Sequence, residues 1–129
     1  ENTKVFIIDS AVVVAILMPD EKQSEKAKKL AEIISSKNRI LAPKLLSYEI
    51  GNSLKSAVLS KRITKDEAKF LFDTFIKLKI YLVEVEIGPV FKLAIKHNIT
   101  FYDASYLYLA KINKCKLLTL DKKLAEIAK

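Results

Sequence analysis

The chain of 129 residues carries 23 Lys and Arg against 15 Asp and Glu, a formal charge of +8, and half of it is hydrophobic. That fits one compact domain over residues 1–129, because domains are commonly about 100–150 residues, and it excludes a disordered tail. Two glycines, one cysteine and one histidine exclude a phosphate-binding glycine loop, a dinucleotide fingerprint, a disulfide framework and zinc or iron sites built from His or Cys.

In chain order, Val5-Phe6-Ile7-Ile8 is a continuous apolar run suited to a central parallel strand. Ala11 to Met18 is the longest apolar stretch, well short of the ~20 residues of a membrane helix. Asp9 interrupts it on the N-terminal side, which argues against a secretory signal. Ala27, Leu30, Ala31 and Ile34 mark one amphipathic helix, with Asp20 behind Pro19 as its expected start. Ile40-Leu41-Ala42, closed by Pro43, reads as the second strand, and Leu46, Ile50, Leu54 and Val58 as the next helix.

Thr64-Lys65-Asp66-Glu67 is a capping box, opening a helix that buries Ala68, Leu71, Phe72 and Phe75. Tyr81 to Val85 is the third strand; Phe91, Ala94 and Ile95 define a short helix ahead of His97. Leu107, Tyr108 and Ala110 define another, Lys116-Leu117-Leu118-Thr119 the fourth strand, and Leu124, Ile127 and Ala128 the last helix. The order βα, βαα, βαα, βα predicts an α/β fold with a short parallel sheet. About seven helices flank it, counting one that Asp9 or Ser10 would cap. The chain begins at Glu1 rather than Met, which reads as trimming, and a fifth edge strand is expected beyond Lys129.

Charge and scarcity narrow the chemistry. All but Arg39 and Arg62 of the basic residues are Lys, point charges that favour phosphate contact over base reading, or simply a soluble surface. With His97 and Cys115 alone of their kinds, a metal must be held by oxygen ligands, which suits Mg²⁺ or Mn²⁺.

Four acids stand apart from the helix faces where Asp and Glu alternate with Lys. Asp9 follows the most hydrophobic strand; Glu49 lies just off the apolar stripe of its helix, among Asn52, Ser53 and Ser56; Asp103 sits at a helix start; Asp121 follows the fourth strand. Each has a local explanation. Asp9 and Asp121 can cap helices, Asp103 can close a box from Thr100, and Glu49 can pair with Lys44 or Lys55. Together they mean something else. Asp9 and Asp121 emerge at the carboxyl ends of strands, where open sheets place ligands. Carboxylates crowded there repel unless a cation neutralises them, and beside a basic surface that suggests metal-assisted hydrolysis of a phosphodiester.

The segments Val5-Phe6-Ile7-Ile8-Asp9-Ser10, Ala42-Pro43-Lys44-Leu45-Leu46-Ser47-Tyr48-Glu49, Tyr102-Asp103-Ala104 and Leu117-Leu118-Thr119-Leu120-Asp121 resemble the four acidic motifs of PIN-domain nucleases. Length, spacing and the run from Tyr102 to Lys111 are most similar to the VapC-type toxin endoribonucleases. The resemblance implies a cytoplasmic, Mg²⁺- or Mn²⁺-dependent ribonuclease, dimeric, with RNA as substrate and a cognate antitoxin as partner. Asp9, Glu49, Asp103 and Asp121 would be the catalytic and metal-binding acids, with Thr119 and Asn52 as auxiliaries. Ala11 departs from the hydroxyl residue many relatives carry there. The alternative is a non-catalytic RNA- or protein-binding module on the same fold.

Three further readings complete the sequence. His97 is expected at the surface or at a helix end, and Cys115 before a buried strand, so a thiol protease pair is not supported. Tyr48, Phe101, Tyr102, Tyr106 and Tyr108 are expected mainly in the core, with stacking on unpaired bases as the other use. The helices around Ala27–Ile34 and Ala68–Phe75 are expected to expose surplus apolar face, the ordinary cause of symmetric dimers.

Overall fold

The computed structural model describes residues 3–22 and 24–129. Strands β1 (Val5–Ile8), β2 (Arg39–Pro43), β3 (Ile80–Val83) and β4 (Lys116–Leu118) form a parallel sheet in the order β3-β2-β1-β4. Seven helices complete it among the described residues: α1 (Ser10–Leu17), α2 (Glu25–Ser35), α3 (Leu45–Leu59), α4 (Lys65–Lys77), α5 (Ile87–His97), α6 (Phe101–Asn113) and α7 (Lys122–Ile127). β1 lies between β2 and β4, with Phe6 opposite both Ile40 and Lys116. Burial on both faces of a parallel sheet explains why the β1 sequence does not alternate: Ile7 and Ile8 are both fully buried.

The first crossover corrects the expected helix start. The chain folds as βαα, βαα, βαα, βα, with the helix that Asp9 caps, α1, preceding α2 in the first crossover. In α1, Val12, Val13, Ala15 and Leu17 are buried. A helix covered on most sides has no polar stripe to reveal its period. α2 begins not at Asp20 but after Ser24, whose hydroxyl accepts the Ala27 N–H at 3.1 Å. Asp20 is instead held by the Arg62 guanidinium at 2.8–3.1 Å, with Glu21 joining at 3.0 Å.

Other boundaries follow local chemistry. Leu46, Ile50 and Leu54 are buried as expected on α3, while Ala57 takes the last core place and Val58 is half-buried. The capping box of α4 is complete: Glu67 N–H donates to Thr64 at 3.0 Å and Thr64 N–H to Glu67 at 2.8 Å. Leu71 and Phe75 are buried, Ala68 and Phe72 half-buried. On α5 the core face is Val90 and Ala94, whereas Phe91 and Ile95 are exposed together with Ile87. α2 and α4 thus spend their main apolar stripes on the core, and an i, i+4, i+8 stripe on α5 is left outward. On α4, Phe70 and Ile76 are also exposed. No helix among the described residues is long and apolar enough to cross a membrane.

The α2 boundary makes a direct prediction. Ser24→Ala should cost about 1 kcal/mol, the usual value of an N-cap hydroxyl, and more than Asp20→Ala, which removes a solvent-screened ion pair. Urea melts of the two variants measure the order, and a larger loss for Asp20→Ala would restore the earlier start.

Candidate functional site

The sheet's carboxyl edge gathers the four acids. Asp9 ends β1 and is only 6 % exposed. Its N–H donates to the Leu118 carbonyl at 3.2 Å, and its Oδ1 accepts the Val12 N–H at 3.1 Å as the N-cap of α1. One residue therefore ties β1 to β4 and starts α1. Burial pushes its carboxyl above the usual range; the Thr119 hydroxyl and the Val12 N–H pull the other way, and Asp103 and Asp121 add upward pressure.

Glu49, half-buried in α3, accepts the Tyr106 hydroxyl at 2.5 Å. Its carboxyl is also raised, first by burial and then by Asp103 and Asp9, against lowering contacts from Tyr106 and Ser10. Burial and the Glu49 bond drive the Tyr106 phenol strongly upward, so it stays a donor. Asp103, half-buried in the first turn of α6, is raised by burial and by Asp121, with Thr100 opposing. Its N–H donates to the Thr100 hydroxyl at 2.9 Å, but its carboxylate does not return to the Thr100 N–H, so the capping box is half made. Asp121 is exposed and caps α7 through the Leu124 N–H at 3.0 Å, while its own N–H donates to Thr119 Oγ1 at 3.1 Å.

Asp9, Glu49 and Asp103 each feel neighbouring carboxylates of the set. Among the described residues the ion pairs join Lys44 to Glu84, Arg62 to Asp20 and Glu21, and Lys129 to Glu126; none includes the four. No group of three or more His, Cys, Asp or Glu side chains among the described residues is placed to hold a metal ion as a ready-made cage. Mg²⁺ does not need one, since it keeps several waters and takes only one or two carboxylates. An all-oxygen, like-charged set fits such an ion.

Of the auxiliaries, Thr119 lies against Asp9 and Asp121. Asn52 is exposed, one turn past Glu49, in the groove between α1 and α3 that Val14, Met18, Ser53 and Ser56 also line. The aromatic expectation divides. Tyr106 and Tyr108 are buried, whereas Tyr48, Phe101 and Tyr102 are exposed. Tyr106 was legible only as a core ring; its i, i+3 spacing from Asp103 on α6 was the available sign that it faces the same edge. His97 ends α5 half-buried, and Cys115 is half-buried with its thiol raised by burial, the opposite of an activated nucleophile.

A family model described as PIN domain matches residues 6–129. The chain is 33 % identical over 125 residues to Ribonuclease VapC3 of Pyrobaculum aerophilum, spanning 94 % of this chain and 92 % of that protein. It is 28 % identical over 120 residues to Exonuclease VapC9 of the same organism, spanning 92 % and 82 %. The crystal structure of PAE2754 from Pyrobaculum aerophilum superposes with a TM-score of 0.73 at 26 % identity, covering 96 % of this chain and 86 % of that one.

Crowding sets a stability prediction. Carboxyls raised in the folded state contribute stability that is full below their ordinary values and lost as pH rises through the raised ones. In chelator, Asp103→Asn should melt no earlier than the wild type at neutral pH, and the wild type should gain on the variant as pH falls toward the ordinary carboxylate range. Melting curves across that range decide it. A wild type that loses ground to the variant on acidification contradicts the repulsive rim.

Proposed function

The chain belongs to the PIN domain family, and from that premise we propose that it is a Mg²⁺- or Mn²⁺-dependent endoribonuclease, the toxin of a toxin–antitoxin pair, formed by a single nuclease domain over residues 1–129. The carrying observation is that Asp9, Glu49 and Asp103 each feel other acids of this set, Asp121 among them, at one sheet edge, while no ion pair of the described residues includes any of the four. Similarity to a protein named as a ribonuclease supports the substrate class.

In this reading Asp9, Glu49, Asp103 and Asp121 would hold the cation, one or two of them directly and the others through its waters; when bound it would supply an activated water and charge stabilisation for phosphodiester hydrolysis. Asp9 fixes the position, because its N–H is paired to Leu118 of β4 and its side chain caps α1. Tyr106 orients Glu49 from the core side, and Thr119 links Asp9 to the Asp121 backbone. Asn52 serves as an outer auxiliary from α3. Lys122 and Lys123 occupy the first turn of α7, where cations oppose the helix dipole. Beside Asp121, Lys122 suits phosphate contact, whereas the Lys123 ammonium donates to the Asn98 carbonyl at 3.2 Å. Substrate RNA is gripped mainly through its backbone by Lys.

The outward stripe of Ile87, Phe91 and Ile95 on α5 supports a homodimer, and the family resemblance an antitoxin that blocks the acidic edge in a cytoplasmic complex. A second reading, a non-catalytic RNA- or protein-binding module, draws on the lack of a three-ligand cage among the described residues.

Cleavage of total RNA separates the two. The wild type should cut in Mn²⁺ and stop in chelator, and Asp9→Asn should lose at least about 100-fold in rate, the scale of losing a principal charge-stabilising group. New ends within strands mark an endonuclease; shortening from one end alone would instead match the exonuclease named among the relatives. Equal cutting by Asp9→Asn rejects the assignment. Mn²⁺ should also raise the melting temperature of the wild type more than that of Asp103→Asn, and the logarithm of RNA affinity should fall linearly with log salt. Light scattering should give twice the 14.6 kDa chain mass, with monomer rejecting the dimer.

A further inference from the structure

Tyr48 and Tyr102 immediately precede Glu49 and Asp103, each in the first turn of its helix, α3 or α6. They are 76 % and 58 % exposed. Phe70, Phe91 and Phe101 are exposed as well, but only Tyr48 and Tyr102 directly precede one of the four acids. Exposed Tyr81 carries the Arg39 guanidinium at 5.6 Å, and Phe72 pairs with Phe75 at 5.8 Å; Tyr48 and Tyr102 enter neither kind of contact.

Their placement is fixed by topology. α3 opens just beyond β2, at the carboxyl edge of the sheet, and α6 leads through Lys114 and Cys115 to the start of β4, so its own first turn lies at that same edge. Asp103 acts on Glu49 across the gap between them. Two bare rings thus flank the carboxylates, one on each helix. A phenol ring offers a flat apolar face, and every nucleobase has a complementary one. Bases in a duplex are stacked on each other and are not available to it.

We propose that Tyr48 and Tyr102 are stacking platforms for unpaired bases beside the cleaved phosphodiester, and that they set a preference for unpaired over duplex RNA. The proposal rests on the ribonuclease reading for its phosphodiester, but the stacking itself is measurable without cleavage. Lysine contacts hold the strand generally; the two rings decide which strands reach the carboxylates.

The test is fluorescence anisotropy of a labelled, unstructured oligoribonucleotide in Mn²⁺, with Asp9→Asn present in every protein so that the strand stays whole. Tyr48→Ala and Tyr102→Ala should each weaken binding by about 5- to 150-fold, the range of losing one base–aromatic stack. Tyr48→Phe and Tyr102→Phe should restore it, since the face and not the hydroxyl does the work, and a duplex of the same sequence should be bound equally by parent and alanine variants. Melting curves confirm that these exposed positions leave the fold intact. Alanine variants that bind the strand like the parent overturn the proposal, including any that lose a protein partner instead. A loss that phenylalanine does not restore overturns it too, as does a parent that fails to bind the strand. Cleavage by protein with Asp9 intact is scored separately. RNA cut while alanine variants bind normally removes the stacking and leaves the nuclease; no cutting with ring-dependent binding keeps the stacking and removes the nuclease.

Discussion

A nearly inaccessible carboxylate at the end of the central strand governs the site. Asp9 cannot move toward water, because its N–H is paired to β4 and its side chain to the first turn of α1. Placing a charge there costs desolvation free energy, which appears as an upward shift of its carboxyl. The N-cap contact recovers part of that cost and explains why the local fold accepts an acid at all. Capping and charge are therefore compatible roles. An isolated cap would be satisfied by Ser or Asn, however, and neither supplies the negative charge that distinguishes this edge.

The other acids reach Asp9 by different routes. Glu49 comes from a long helix whose Leu46, Ile50 and Leu54 are locked in the core, and Tyr106 holds it from the opposite side. Asp103 comes from α6, a helix buried almost continuously from Ala104 to Ala110. Asp121 is carried by the loop after β4. Rigid, core-anchored elements thus press like charges together, while the ion pairs of the described residues lie elsewhere. Sites that keep such local conflict are those where function outweighs stability. Lysines in the first turn of α7 break a second local rule beside the same edge.

Much of this was legible where a residue pattern has one cheap solution. Val5–Ile8 reads as a buried strand because its apolar run is too short for a helix of its own and ends in an acid. Thr64-Lys65-Asp66-Glu67 names its helix start because both hydrogen bonds of the box are local. The order of the four acids carried the family resemblance. What failed was decided by distant chemistry. α1 is apolar on most sides, so its period was hidden, and the α2 start depended on Arg62 capturing Asp20 from 42 residues away. Phe91 and Ile95 look like core residues, but Val90 and Ala94 fill that face. Likewise the Tyr106–Glu49 bond joins residues 57 apart, and no local pattern encodes it.

The central claim is that these carboxylates form one cation site rather than four separate helix caps and ion-pair partners. Crystals of the wild-type protein grown with Mn²⁺, measured at the manganese absorption edge, test it most directly. The account predicts an anomalous peak at the carboxyl edge of the sheet, within coordinating distance of Asp9 and at least one of Glu49, Asp103 and Asp121. A well-occupied manganese bound elsewhere, with that edge empty at saturating metal, would contradict it.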